Sequence, residues 1–334
     1  MPEDFDSTLQ SGSARFAEAT LPPPAASIRE RAGRRRRRHE VVAGVMAVAA
    51  VAAVGGTVAL GGVGHRSAPQ MAPTVNGSAP DLLKSPGIDQ ESTIAVRAGD
   101  TSRTVFAELT KKRGWTTAQL AAVVSDNQIG LPDWAKVDGK WSVEGFLEPG
   151  DYPIAGTDDA VTVLRTMVER RLDSLRSIDF MNLSTKLTCG TTQCGPEKAL
   201  TIASIAEKEV RTPGEAQAMS EVIVNRLQAH DWLDADSTTV YGLGLENLPA
   251  RTPLTAAQTR DPDDPYSSGP GGGTRGLPPG PISIPSTATL RAVLSPTSEH
   301  WYYWCEQDGG AIVSFAPKSP SGQQSQGIAG CTNS

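Results

Sequence analysis

The most regular alternation of apolar and polar positions lies at residues 199–227, ALTIASIAEKEV followed by RTPGEAQAMSEVIVNRL. Ile202, Ile205 and Ala206 recur at helical spacing, and Glu209 falls seven residues after Ile202, on the same side. The spacing predicts two helices joined at Arg211 and Thr212. Thr212 suits an N-cap, Pro213 suits the first helical position, and Glu215 three residues past the cap completes a capping box. Met219, Val222, Ile223 and Leu227 form the apolar stripe of the second helix. Upstream, STIAVRAGD (92–100) alternates as a strand and ends in a Gly-Asp turn. Helices are expected over 101–113 and over 117–125, the latter beginning after Thr116. Residues 159–175 (DAVTVLRTMVERRLDSL) form an amphipathic helix in this reading, with Val161, Leu164, Met167, Val168 and Leu172 as its buried stripe.

The first ninety residues carry a different pattern. Residues 1–33 lack apolar periodicity and contain LPPPAAS, as a disordered tail would. Five arginines (34–38) then precede residues 41–64, which contain no charge and are rich in Val and Ala. As a helix that segment would be about 36 Å long, enough for a bilayer core of roughly 30 Å. A cleavable signal peptide is the rival, but the basic region before it is unusually long and the apolar stretch exceeds a usual signal core. The flanking arginines predict a cytoplasmic tail (1–40), a single transmembrane helix (41–64) and everything later outside the cytoplasm. Residues 65–91, rich in Pro, Ser and Gly without a period, read as an extended linker.

Composition sharpens this division. A hydrophobic fraction of 38% with 33 Gly and 25 Pro in 334 residues is low for a fully packed chain. The net charge of −6 is uneven, because the portion after the apolar segment is acidic; nucleic acid is excluded as its main partner. The four cysteines, Cys189, Cys194, Cys305 and Cys331, all fall on the expected outside, where disulfides persist. Three pairings are possible, and local spacing favours Cys189 with Cys194 and Cys305 with Cys331. Zinc is a poor rival, since the cysteines lack CxxC spacing and His300 is the nearest imidazole. No metal site and no cofactor are expected.

The candidate chemistry centres on Glu209. A carboxyl at the edge of an apolar face, at the end of a helix, is partly desolvated, which favours the protonated form that a general acid needs. A glutamate near a helix end is also commonly a solvated surface residue, and Glu207 flanks the same stripe on its other edge.

Four further segments carry a resemblance. WSVEGFLEPGDYPI (141–154) is similar to the EGxLFPDTY segment of MltG-type (YceG-like) endolytic murein transglycosylases, with Glu144, Gly145, Leu147, Pro149 and Tyr152 in place. ASIAEKEV (203–210) and VIVNRL (222–227) resemble that family's ASIVEKE and VFINRL. LDADSTTVYGLG (233–244) resembles LQSDPTVIYGMG, matching at Asp236, Thr238, Tyr241 and Gly242; DPYSS and GLPPGPISIPS (264–286) resemble SPYNTY and GLPPGPIxxPG. The likeness runs from Glu144 to Phe315, with the motifs in family order.

From this likeness together with the residue patterns above, the expected fold is α+β: a single transmembrane helix, a small LysM-like α+β module at 92–155 suggested by the strand–helix–helix–strand order, and, as the resemblance implies, a mixed α/β catalytic domain at 156–334 with its catalytic Glu on a helix. The resemblance implies cleavage of the MurNAc–GlcNAc β-1,4 bond inside nascent peptidoglycan strands, with Glu209 as the acid and Glu207 as a secondary carboxylate. Asp236, Thr238, Tyr241, Tyr266, Gly276, Leu277 and Pro278 would contact the glycan. Asp236 could equally be a turn residue and Tyr241 ordinary core. Peptidoglycan glycan strands are the expected partner, with cell-wall synthases (penicillin-binding proteins) and division or elongation proteins as candidate protein partners. The chain departs from the pattern at Glu148, where the family has an aromatic, at Ser267, Ser268 and Gly269 in place of Asn-Thr-Tyr, and after Phe315, where no His follows. These departures leave open a protein that grips glycan without cutting it.

Overall fold

The computed structural model describes residues 92–246, 254–307 and 312–317. The expected tail (1–40), transmembrane helix (41–64) and linker (65–91) lie outside the described residues, as does Cys331. Among the described residues no helix is long and apolar enough to cross a membrane.

Strand β1 (Ser92–Val96) pairs antiparallel with β4 (Gly150–Ile154), placing Ile94 opposite Tyr152. Alternation sends Ile94, Val96, Tyr152 and Ile154 into the core. Between these strands lie α1 (Ser102–Arg113), α2 (Thr117–Ser125) and a hairpin of β2 (Lys136–Val137) and β3 (Lys140–Trp141). Thr101 caps α1 by accepting from the Thr104 N–H, and Gly114 ends it in the left-handed conformation. Thr116 and Gln119 form a capping box on α2. The strand–helix–helix–strand order expected for 92–155 is therefore present, with an added hairpin before the last strand.

Helix α3 (Ala160–Ser177) starts on an Asp159 cap. Its buried face is turned slightly from the expected stripe. Leu164, Met167 and Val168 are buried, but Val163, Arg171 and Leu175 join them while Val161 and Leu172 are only half-buried. The turn has an electrostatic cause. Fully buried Arg171 pairs with Glu148 at 3.0 Å and donates to the carbonyls of Leu147 (2.9 Å) and Pro285 (2.6 Å). Burial lowers the Arg171 pKa to about 10. Glu148, which replaces an aromatic, also accepts from Ser174 and Thr287, so it ties α3 to a later helix.

After α4 (Phe180–Ser184), a hairpin of β5 (Thr188–Cys189) and β6 (Thr192–Gln193) is closed by a Cys189–Cys194 disulfide. Helix α5 (Gly195–Glu209) follows, then α6 (Pro213–Gln228). The turn between them is built as the sequence indicates. Glu215 N–H donates to the Thr212 hydroxyl, the Glu215 carboxylate accepts from the Thr212 N–H, and Pro213 occupies the first turn. Residues 199–206 of α5 are all buried, so this helix is covered all round, not along one stripe. Its small side chains Ala199, Ala203, Ser204 and Ala206 let neighbours approach closely. Ser204 accepts from the Ile282 N–H, and its carbonyl accepts from the Ser283 hydroxyl, which fastens the GLPPGPI segment to the helix.

The remaining elements are α7 (Asp236–Gly242), α8 (Ala256–Thr259), α9 (Thr287–Val293), β7 (Trp301–Gln307) and β8 (Ile312–Pro317). Every strand pairing among the described residues is antiparallel and two-stranded, and helices carry most of the core. Among the described residues after 155 the chain is thus helical with hairpins at its margins, and no parallel strand pair is present.

Candidate active site

The end of α5 is held by three consecutive residues, each tied to a different part of the chain. Glu207 accepts from the Ser286 N–H at 2.9 Å, just before α9. Lys208 donates to the Gly99 carbonyl at 3.2 Å, in the turn after β1. Glu209, half-buried, accepts from the indole N–H of Trp304 on β7 at 3.2 Å. Helical rotation of about 100° per residue makes this divergence possible. The two glutamates therefore differ in environment: Glu207 caps backbone, whereas Glu209 lies against an aromatic ring.

Trp304 reaches Glu209 because α6 fixes β7. Asn225 donates to the Trp301 carbonyl (2.7 Å), and Arg226 donates to the carbonyls of Tyr302 (2.9 Å) and Leu233 (2.8 Å). The buried Arg226 guanidinium lies 5.0 Å from the Trp304 ring centroid and 5.4 Å from those of Tyr302 and Tyr303. At the start of β7, buried Glu221 accepts from the backbone N–H groups of Glu299 and His300.

A second cluster gathers Tyr241, Tyr266 and Glu144. The tyrosine rings are tilted with centroids 4.9 Å apart, and Arg103 lies 4.4 Å over the Tyr241 ring. An added Cβ at Gly242 would sit 2.6 Å from the Asp264 carboxylate and 2.8 Å from the Tyr266 Cβ, so only glycine allows this approach. Tyr241 donates to Glu144 Oε2 at 3.2 Å, and Ser102 donates to the same carboxyl through its hydroxyl (2.7 Å) and its N–H (3.1 Å). Glu144 is 2% exposed. Burial outweighs these donors and pushes its carboxyl up to about 7. Tyr266 is pushed up to about 12 by burial and then by the Glu144 charge; Tyr241 is raised for the same reasons in the same order. A small cleft of about 10 Å³, room for roughly one water, lies beside Glu144 and is lined also by Trp134, Lys136, Phe146, Leu200 and Pro281.

The other expected contact residues fall in three settings. Asp236 is the first residue of α7, with Ala235 as N-cap, and is exposed. Desolvation of its carboxyl, then the charge of Asp234, holds it above the usual carboxylate range. Thr238 is fully buried, its hydroxyl bonded to the Ala235 carbonyl and the Ser268 hydroxyl, both 2.8 Å. In the GLPPGPI segment Gly276 has φ +129°, Leu277 is half-buried and accepts from Thr274, and Pro278 is buried. Ser267, Ser268 and Gly269 are also buried. An added Cβ at Gly269 would sit 2.6 Å from the Thr259 carbonyl, so no aromatic fits that position in this loop.

Thus Tyr241 meets Tyr266, Thr238 meets the departed Asn-Thr-Tyr region, and Glu209 meets Trp304. The motif reading passed over Trp304, Arg226 and the buried Arg171. The aromatic run WYYWC (301–305) is the one signal in the sequence from which the first of these could have been found. Cys305 in that run is disulfide-bonded.

The family model described as the YceG-like family matches residues 72–319. The chain is 23% identical over 175 residues to the endolytic murein transglycosylase of Bacillus subtilis (strain 168), an alignment covering 52% of this chain and 44% of that protein. It therefore spans less than half the length of that relative. A crystal structure of a yceG-like protein from Listeria monocytogenes superposes with a TM-score of 0.55 at 22% identity, covering 69% of this chain and 74% of that one; it speaks to the fold alone. With the family model matching well over half of its residues, the chain belongs to the YceG-like family.

Proposed function

We propose that this protein is an endolytic peptidoglycan lytic transglycosylase, cutting the MurNAc–GlcNAc β-1,4 bond with Glu209 as its acid and then its base. The observation that carries the reading is the end of α5, where Glu209 is half-buried and bonded to an indole N–H while Glu207 caps backbone. Membership of the YceG-like family and the likeness to a named murein transglycosylase support it.

An ordinary glycosidase uses two carboxyls, one as acid and one as base or nucleophile. A lytic enzyme uses the substrate's own C6 hydroxyl as nucleophile, which closes a 1,6-anhydro ring and consumes no water. Glu209 would give its proton to the leaving glycosidic oxygen. The resulting carboxylate would then accept the proton of the C6 hydroxyl as that oxygen attacks C1. One carboxyl serves both transfers, and the N–H that Trp304 donates to it is suited to the ionised stage. In this reading Tyr241, Tyr266 and Asp236 face the glycan around α7, and the stiff GLPPGPI segment walls the groove. Residues 92–155 act as a LysM-like module gripping the strand, and residues 41–64 anchor the protein in the cell membrane. Cys305 pairs with Cys331. Synthases and division or elongation proteins are the protein partners that fit an enzyme acting on nascent strands.

Mass spectrometry of uncrosslinked glycan strands incubated with the protein tests the reaction type. New 1,6-anhydroMurNAc ends are expected. New reducing MurNAc ends would instead mean hydrolysis, and no new ends would favour a glycan-binding scaffold, as the altered 267–269 segment would suit.

A further inference from the structure

We infer that Trp304 is a positioning residue for the reaction, its indole N–H orienting the Glu209 carboxyl and stabilising that group's ionised stage. The inference rests on the proposed role of Glu209.

Three features of the structure carry it. First, the indole is aimed at a carboxylate oxygen, not merely packed beside it: Trp304 Nε1 lies 3.2 Å from Glu209 Oε2 with donor geometry. Second, the ring is held in place from behind. Arg226 lies 5.0 Å from its centroid, and that guanidinium is itself fixed by the carbonyls of Tyr302, Trp232 and Leu233. Third, the strand bearing Trp304 is fastened to α6 by Asn225, within the same VIVNRL motif. Two segments 95 residues apart thus converge so that one N–H meets one carboxyl. An aromatic ring without an N–H could fill the same space, so packing alone does not call for this geometry.

The consequence lies in charge. A neutral acid gains little from an N–H donor, whereas a carboxylate gains substantially. Trp304 therefore assists most after the first proton transfer, when Glu209 is ionised and must take up the C6 hydroxyl proton. Charged side chains on the elements that carry and flank Glu209 include Glu207 and Lys208 on α5, Arg211 and Glu215 at the turn between α5 and α6, and Glu221 and Arg226 on α6. Trp304→Phe removes none of these charges, but Arg226 packs on the ring that is exchanged, so a shift is assigned to the N–H where the indole titration described below identifies the same contact.

The test is Trp304→Phe, which keeps an aromatic ring and removes the donor, assayed in the full chain alongside Glu209→Gln. With anhydro-end formation as readout, kcat should fall about tenfold with KM little changed. Removing a donor from the carboxylate makes the acid hold its proton to higher pH. The alkaline limb of kcat/KM should therefore move up by about half a pH unit or more. A purely structural role would lower the amount of folded protein without moving that limb. An unshifted limb, whatever kcat does, would overturn the inference.

A second measurement does not depend on activity or on the Trp304 variant folding. In protein carrying 15N-labelled tryptophan, one of six indole N–H resonances should titrate with pH, and that titration should vanish in Glu209→Gln. If no indole resonance loses a titration in Glu209→Gln, the contact is absent and the inference falls. If the resonance behaves as expected while Glu209→Gln cleaves strands as well as wild type, Trp304 touches Glu209 but positions nothing catalytic, and the inference falls together with the role of Glu209.

Discussion

Replacing Glu144 by Gln should remove a pH dependence that the structure builds into this fold. Glu144 is 2% exposed and accepts from Ser102 and Tyr241, which joins α1 to α7 through one buried carboxyl. Burial is the largest influence and raises its pKa from 4.5 to about 7, against the lowering effect of the Ser102 donors. The folded state therefore holds this proton more tightly than the unfolded state. Its contribution to stability is fully present below pH 4.5 and is lost as pH rises through about 7. At about 1.4 kcal/mol per pH unit, the wild type should lose up to about 3 kcal/mol between pH 4.5 and 8 through this one group. The amide of Gln has nearly the same shape and no charge at any pH. Its oxygen can accept from Ser102, and its N–H can donate to the Tyr241 hydroxyl. Urea unfolding of both proteins at half-unit intervals from pH 4.5 to 8 isolates the effect, because titrations common to both, such as those of Asp236 and Asp264, cancel in the difference. The stability difference between variant and wild type should swing toward the variant by about 2–3 kcal/mol across that range. A difference constant to within about 0.5 kcal/mol would refute the reasoning, since this carboxyl would then titrate alike in both states.

Two further outcomes follow from buried charges and the hairpin staple. Arg171→Met should destabilise by about 3 kcal/mol because it strands Glu148 without its cation, and Glu148→Gln added to it should recover much of that loss; additive losses in denaturant titrations would show that the two side chains do not act as a pair. Replacing Cys189 and Cys194 by Ser opens a bridge between residues five apart in sequence and should cost about 2 kcal/mol, read as a fall in Tm; an unchanged Tm would mean that the hairpin is held without it.

The local rules of the chain were readable in advance, and its long-range pairings were not. Thr212, Pro213 and Glu215 encode their turn within four residues, so the break between α5 and α6 was legible from sequence, as was the Asp159 start of α3. The period around Ile202 favoured Glu209 over Glu207 only slightly; what the structure adds is that helical rotation sends the two to different partners, Trp304 and Ser286. That α5 is covered on every side was hidden, since its buried Thr201 and Ser204 read as polar. Arg171 was invisible in its stripe for the same reason: periodicity counts apolar residues, and a buried cation is explained only by Glu148, Leu147 and Pro285 arriving from elsewhere. Trp304 belongs to a hairpin whose contact with α5 arises only once Asn225 and Arg226 dock β7. The motif at 264–269 departed from its family, and packing supplies the reason, with Gly269 pressed against Thr259 where an aromatic side chain cannot stand.

The most direct test of the account compares Glu209→Gln with Glu207→Gln in the glycan-strand assay, counting 1,6-anhydroMurNAc ends by mass spectrometry. Glu209→Gln keeps size and shape but carries no transferable proton, so end formation should fall by at least about a hundredfold while Tm and strand binding change little. Glu207→Gln alters a contact to the Ser286 backbone and should be milder. Wild-type end formation by Glu209→Gln would contradict the account, and its abolition by Glu207→Gln alone would move the acid to the neighbouring glutamate.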